Sequence, residues 1–408
     1  MLYPLRAALV TILAASPALA QERTAIDAAK MATALDDDVR IENFRSWEKI
    51  FPVAIVHREG DPIRFFERPT DLDVFFTYDG VTQPLDAWLQ ETVTTGFLVV
   101  HKDAIVYENY WHGNDVDSKA TSMSVSKSFT SALVGIAIGD GLIASVNDPI
   151  TKYVPFLKDS GYNGVPIKHI LQMSSGIDFT EEYDEQESDI IQMVGAVSLG
   201  TPIKNYAAAL RSARPSGKKF NYASIDTNIL GFLIEAVTGK TPAQYLEEKI
   251  WGPLGMESNA YWNLDNTGTV LTFMGLNATL RDYAKFGRLY MNDGYANGQQ
   301  IVPPFWVRES LEPDKCYLRL KNHYWKGWNI GYGYQWWIPK GREGEFMAIG
   351  VWGQYIYVNP SKNLIIVKSS ADPAFDTRDM ESLAAFRAVG DFFGGVSSTP
   401  APRWKFWQ

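Results

Sequence analysis

The chain has one cysteine, Cys316, so it can form no internal disulfide in any compartment. No supporting motif surrounds that cysteine (Asp314-Lys315-Cys316-Tyr317), and a buried structural thiol is its expected role. The five histidines, His57, His101, His112, His169 and His323, are scattered without H-E-x-x-H spacing, so no zinc site and no metal or organic cofactor is expected. G-x-S-x-G is also missing, which argues against an α/β-hydrolase triad. Basic clusters are lacking too. With 38 Lys and Arg against 47 Asp and Glu the formal charge is −9, a poor match to nucleic acid or anionic membrane. Beyond residue 20 no uncharged apolar run reaches spanning length, so stable membrane insertion is not expected. Repeats at solenoid or propeller periods are absent.

What is present is a globular composition, 46% hydrophobic and 21% charged over 408 residues, enough for one large domain or two intimate ones. Residues 1–20 have the pattern of a cleavable export signal. Arg6 supplies the positive start, Ala7 to Ala15 the short apolar run, and Ala18-Leu19-Ala20 the small-x-small site before Gln21. A soluble, exported protein, naturally placed in a bacterial periplasm, is the expectation. Loss of Arg6 with the leader takes the formal charge from −9 to −10.

Residues 21–85 form a mixed polar and aromatic lead-in with no legible role. From Gly96 the pattern sharpens. Phe97-Leu98-Val99-Val100, the turn His101-Lys102-Asp103 and Ala104 to Tyr110 predict a β-hairpin. A helix over 125–139 follows, with Val125, Phe129, Ala132, Leu133, Ile136 and Ala137 as its apolar stripe. Residues 148–330 read as mostly helical, with one helix over 226–237 and another opening at Thr241-Pro242. Strands return at Phe346–Ile349, Gln354–Val358 and Leu364–Lys368, and a terminal helix is predicted over 377–393. This order suggests an α/β (α+β) fold: an antiparallel sheet closed by the two chain ends (86–147 and 331–395), flanked by helices, with a mostly helical subdomain inserted. Residues 396–408 remain as a tail, whose Trp404-Lys405-Phe406-Trp407 either packs back on the body or mediates association.

The sharpest chemical signal is Ser122-Met123-Ser124-Val125-Ser126-Lys127. Ser124 falls where the helix begins, and a lysine three residues on shares its face. A serine hydroxyl needs a base to become a nucleophile, and a desolvated lysine can serve. The competing reading is an ordinary helix cap, although only Ser124 among its neighbours has lysine at plus three. In Asn221-Tyr222-Ala223-Ser224, Tyr222 and Ser224 lie two apart in an extended segment and can point into one cleft. Tyr222 would pass a proton; alternatively it is a half-buried aromatic with a satisfied hydroxyl. In Gly350-Val351-Trp352-Gly353-Gln354, glycines permit close approach of backbone to ligand, and the N–H groups of Gln354 and Ser124 are the expected oxyanion pair. A β-bulge used only for packing is the alternative.

In this order the three segments resemble the serine β-lactamase and penicillin-binding-protein superfamily, whose signature includes S-x-x-K. Leu171–Ile177, Ile234–Lys240, Trp251–Met256 and Asp282–Leu289 extend the likeness from about Gly96 to Phe393. The pattern is most similar to the class C β-lactamase-like branch, its 6-aminohexanoate-dimer hydrolases and related esterases above all. The resemblance implies a β-lactamase-like fold and catalytic roles for Ser124, Lys127 and Tyr222. It places Ser224, Tyr183, Gly350, Val351, Trp352 and Gly353 beside the substrate. Tyr334, Trp336 and Trp337 are further candidates for the pocket wall, with core packing as their default. Ser224 stands where β-lactamases have Asn, and Val351 where they have Lys or His, so the cation that would meet a β-lactam carboxylate is missing. A serine hydrolase acting through an acyl-enzyme on a small ester or amide is the leading reading. A penicillin-binding peptidase or lactamase, and a non-catalytic binding protein of the same fold, are the alternatives. The oligomeric state is not legible.

Overall fold

The computed structural model describes residues 25–319, 330–341 and 343–394; the expected leader (1–20) and tail (396–408) and His323 lie outside the described residues. Among the described residues the largest sheet has eight strands: β1 Phe66–Glu67, β2 Thr94–His101, β3 Ala104–Tyr110, β4 Ile330–Tyr332, β5 Trp337–Pro339, β6 Phe346–Gly350, β7 Gln354–Asn359 and β8 Leu364–Ser370. Their spatial order is β4-β5-β6-β7-β8-β2-β3-β1. All pairs are antiparallel except β1 with β3. The last strand lies against an early one, Ile366 opposite Val99, so the two ends of the chain close one sheet as expected.

Local chemistry explains these elements. The β2–β3 hairpin turns at Lys102 (φ 50°) and Asp103 (φ 61°), a two-residue left-handed turn that matches the twist of the strands. Along β2, Phe97 and Val99 enter one core while Leu98 and Val100 enter another. A strand buried on both faces reads as a continuous apolar run, which is why Phe-Leu-Val-Val shows no alternation.

Four long helices matter for the site: α1 Ser126–Gly139, α2 Ser224–Thr238, α3 Leu280–Met291 and α4 Phe375–Phe393. Leu383, Phe386 and Val389 of α4 cover one face of the sheet, Phe386 stacking on Phe97 at 6.4 Å. On the other face Gly287 lets α3 settle closely, since a Cβ there would stand 3.0 Å from Ile356 and 3.1 Å from Ile365. Helix α1 departs from the amphipathic expectation, because every residue from Ser126 to Ala137 is buried. Its hydroxyls tolerate this by bonding: Ser126 Oγ donates to the Thr272 carbonyl at 2.8 Å and Ser128 Oγ to that of Gln335 at 2.7 Å.

The lead-in is woven into the body. Phe66–Glu67 supplies β1, and Val53–Val56 edges a second, four-stranded sheet with Ala260–Asn263, Leu276–Ala278 and Ala120–Thr121. Two strands of that sheet fall inside the region read as mostly helical. Their three or four residues are too short to show a period. Cys316 corrects another expectation: it is exposed, at the start of a single turn, Cys316–Leu318, that buries Leu318 instead. No helix among the described residues is long and apolar enough to cross a membrane.

Candidate active site

Ser124 sits in a tight turn, Met123–Val125, immediately before α1. Met123 adopts φ 43°, a left-handed conformation that costs a non-glycine residue about 1 kcal/mol or more and is characteristic of functional turns. The Lys127 ammonium lies 2.6 Å from Ser124 Oγ and donates to the Phe273 carbonyl at 3.0 Å. Lys127 is only 1% exposed. Burial lowers its pKa to about 8, against the opposing pull of the Glu181 charge. The Tyr222 hydroxyl is hydrogen-bonded with Ser124, and its ring lies 5.0 Å from Lys127 Nζ. Burial first, and Glu181 second, push the Tyr222 pKa well above the phenol value, so this hydroxyl keeps its proton at neutral pH. Trp337 stacks on it with ring centroids 5.5 Å apart.

The third segment closes the β6–β7 hairpin. Gly350 pairs with Gln354 across a turn in which Trp352 (φ 66°) and Gly353 (φ 81°) are left-handed, so this is a hairpin end and not a packing bulge. At Gly350 a Cβ would stand 2.6 Å from the Ser122 carbonyl oxygen and 3.0 Å from the Ser124 nitrogen. The hairpin backbone therefore rests directly against the turn that carries Ser124. Gly350→Ala is expected to lower kcat about 100-fold, the effect of displacing one backbone donor, with circular dichroism unchanged. Wild-type kcat in the variant would show that the contact has no catalytic consequence.

Gln354 lies outside the spaces that Ser124 lines: its side chain donates to the Ser370 carbonyl at 2.6 Å, and it borders a small cavity with Ser122, Val125 and Lys368, on the other side of the Ser124 turn. Its ladder position opposite Gly350 sets it behind the hairpin tip. Gly350 and Val351, by contrast, face Ser124. Tyr334 and Trp336 belong to the core, against Trp306 (5.1 Å) and Phe286 (5.9 Å), whereas Trp337 reaches the site.

A buried carboxylate went unread in the sequence. Glu181 accepts three hydrogen bonds of 2.6 Å, from the Ser224 amide, the Ser224 hydroxyl and the Tyr183 hydroxyl. Ser224 and Tyr183 are thus held by one anchor. Ser224 opens α2, and the extended backbone ends at Ala223. Nothing in Phe179-Thr180-Glu181-Glu182-Tyr183 separates Glu181 from its neighbour; only the fold buries one of them completely. Removing its charge takes away the influence that raises the Lys127 pKa. Glu181→Gln is accordingly expected to move the acidic limb of the rate profile to lower pH. A shift upward, or none, would contradict this coupling.

Two spaces meet at Ser124, and both also touch Tyr183 and Val351. One is a narrow crevice of about 40 Å³ beside Tyr222, Trp337 and Asp376. The other is a chamber of about 440 Å³ that includes Trp352 and Ser224. Residues 85–388 match the family model described as Beta-lactamase. The chain is 31% identical over 343 residues to the 6-aminohexanoate-dimer hydrolase of Paenarthrobacter ureafaciens, covering 82% of this chain and 86% of that protein. A solved Bacillus anthracis protein that carries the 6-aminohexanoate-dimer hydrolase name provisionally superposes with a TM-score of 0.79 at 25% identity, over 92% of this chain and 98% of that one. A class C β-lactamase shares the fold, with a TM-score of 0.56 at 15% identity over 76% of this chain and 94% of that one.

Proposed function

From the premise that this chain belongs to the β-lactamase family and is a serine hydrolase, we propose that Ser124 is acylated by a small ester or amide with Lys127 as its base. The observation that carries this is the buried Lys127 amine 2.6 Å from Ser124 Oγ. When neutral, the amine offers a lone pair that accepts the hydroxyl proton as Ser124 Oγ bonds to the substrate carbonyl carbon. The oxyanion so formed is met by the N–H groups of Ser124 and Val351; the second replaces Gln354 because Val351 lines the site next to Gly350. As the carbonyl re-forms, Tyr222 gives its proton to the departing alcohol or amine and recovers one from the Lys127 ammonium. Water then attacks the acyl carbon as the same base takes its proton; the bond from that carbon to Ser124 Oγ breaks, the base returns the proton to Oγ, and the carboxylic acid leaves. Tyr183, Ser224, Gly350, Val351, Trp352 and Gly353 are proposed to shape the substrate side.

Val351 offers no cation to a carboxylate, so poor turnover of β-lactams is expected. Purified protein should hydrolyse p-nitrophenyl acetate and butyrate, or 6-aminohexanoate dimer, while nitrocefin is consumed at least tenfold more slowly. Rapid nitrocefin hydrolysis would transfer the assignment to a lactamase. Residues 1–20 are proposed to direct export to the periplasm. Mass spectrometry of the secreted protein should find Gln21 as its first residue, and an intact leader would refute this.

A further inference from the structure

Resting on the reading of Ser124 as nucleophile, we infer that the larger chamber is an acyl subsite for an uncharged, unbranched medium-length chain, the hexanoyl to octanoyl class. The orientation follows from proton delivery. The leaving group must lie where Tyr222 can protonate it, and Tyr222 lines the narrow crevice but not the chamber. The acyl chain is therefore directed the other way from the same serine. The chamber's volume, about 440 Å³, falls within the usual size for a small-molecule subsite.

Its walls decide what fits. Met31 and Leu35 of the lead-in face Ile191, Val194 and Leu199 from the helix Asp189–Ser198 and the residue after it. Leu199 is 82% exposed and Leu35 38%, so the chamber opens to solvent between two leucines. Among the described residues no Asp, Glu, Lys, Arg or His lines it, and its polar side-chain groups are the hydroxyls of Ser124, Tyr183, Ser198 and Ser224 and the indole N–H groups of Trp47 and Trp352. Two of those hydroxyls, Tyr183 and Ser224, are committed to Glu181, and Ser198 Oγ donates to the Val194 carbonyl at 2.7 Å. A terminal ammonium on the acyl chain would enter without a charged partner, whereas methylenes would find apolar surface. Each methylene fully buried there multiplies transition-state affinity by about fourfold.

The test compares p-nitrophenyl esters of acetic, hexanoic, octanoic and 6-aminohexanoic acids with wild type, Val194→Asp and Ser124→Ala. In wild type, kcat/KM should rise at least tenfold from acetate to octanoate, and hexanoate should exceed 6-aminohexanoate at least tenfold. In Val194→Asp the hexanoate-to-6-aminohexanoate ratio should fall at least tenfold. Turnover that needs Ser124 but is indifferent to chain length, or that favours the amino acid ester, overturns the chamber and leaves the nucleophile standing. Turnover that persists in Ser124→Ala, or none with any ester, overturns the nucleophile reading and the chamber with it. Should Val194→Asp fail to fold, the wild-type ratios alone decide.

Discussion

Ser124→Ala is expected to reduce ester turnover to the buffer rate, a loss of about 10⁴-fold or more. The alanine removes the atom that would carry the acyl group, and the serines on either side of it in the chain cannot stand in. Ser122 Oγ donates to the Met123 carbonyl, and Ser126 and Ser128 bond to carbonyls inside the core. The fold should survive, since the substitution only shortens a partly exposed side chain by one oxygen. Two measurements separate the cases: steady-state hydrolysis, and intact mass after quenching with a slow ester. An acyl adduct in wild type that is absent from the variant fits the proposal. An adduct retained in the variant would place the nucleophile elsewhere.

Lys127→Met should lower kcat about 1,000-fold, within the range for loss of a general base. Its pH dependence has a definite sign. Only the neutral amine can accept the Ser124 proton, and burial brings the Lys127 pKa down to about 8. Activity should therefore climb as pH rises and reach half its plateau near pH 8. At pH 7 about a tenth of the enzyme holds the neutral amine, some 300-fold more than at an unperturbed lysine. Lys127→Arg should be comparably inactive, because a guanidinium stays charged and cannot act as base. A profile that falls through pH 8 would mean the protonated amine is the working form, with Lys127 acting as an electrostatic partner.

The proposed nucleophile and base were legible together because local spacing places them side by side. Lysine three residues after serine at a helix start puts both groups on one face wherever that helix lies, and the 2.6 Å separation follows from this geometry. The β2–β3 hairpin, the strands after residue 345 and the terminal helix were legible for the same reason, since period and turn chemistry act over a few residues. The sequence alone therefore determined the fold class, the family resemblance and the residues proposed for the chemistry. What it left open depends on contacts between distant segments. Glu181 matters because it meets Ser224 across 43 positions of chain. Val351 is proposed in place of Gln354 because the folded hairpin brings Gly350 against the Ser122–Ser124 backbone and Val351 into the space that Ser124 lines. The chamber exists because Met31, Val194 and Met274 converge, and no local pattern encodes that convergence. Burial itself, which lowers the pKa of Lys127 and raises that of Tyr222, is a property of the packed whole: desolvation depends on everything that surrounds a group, and the chain brings those surroundings together only when it folds.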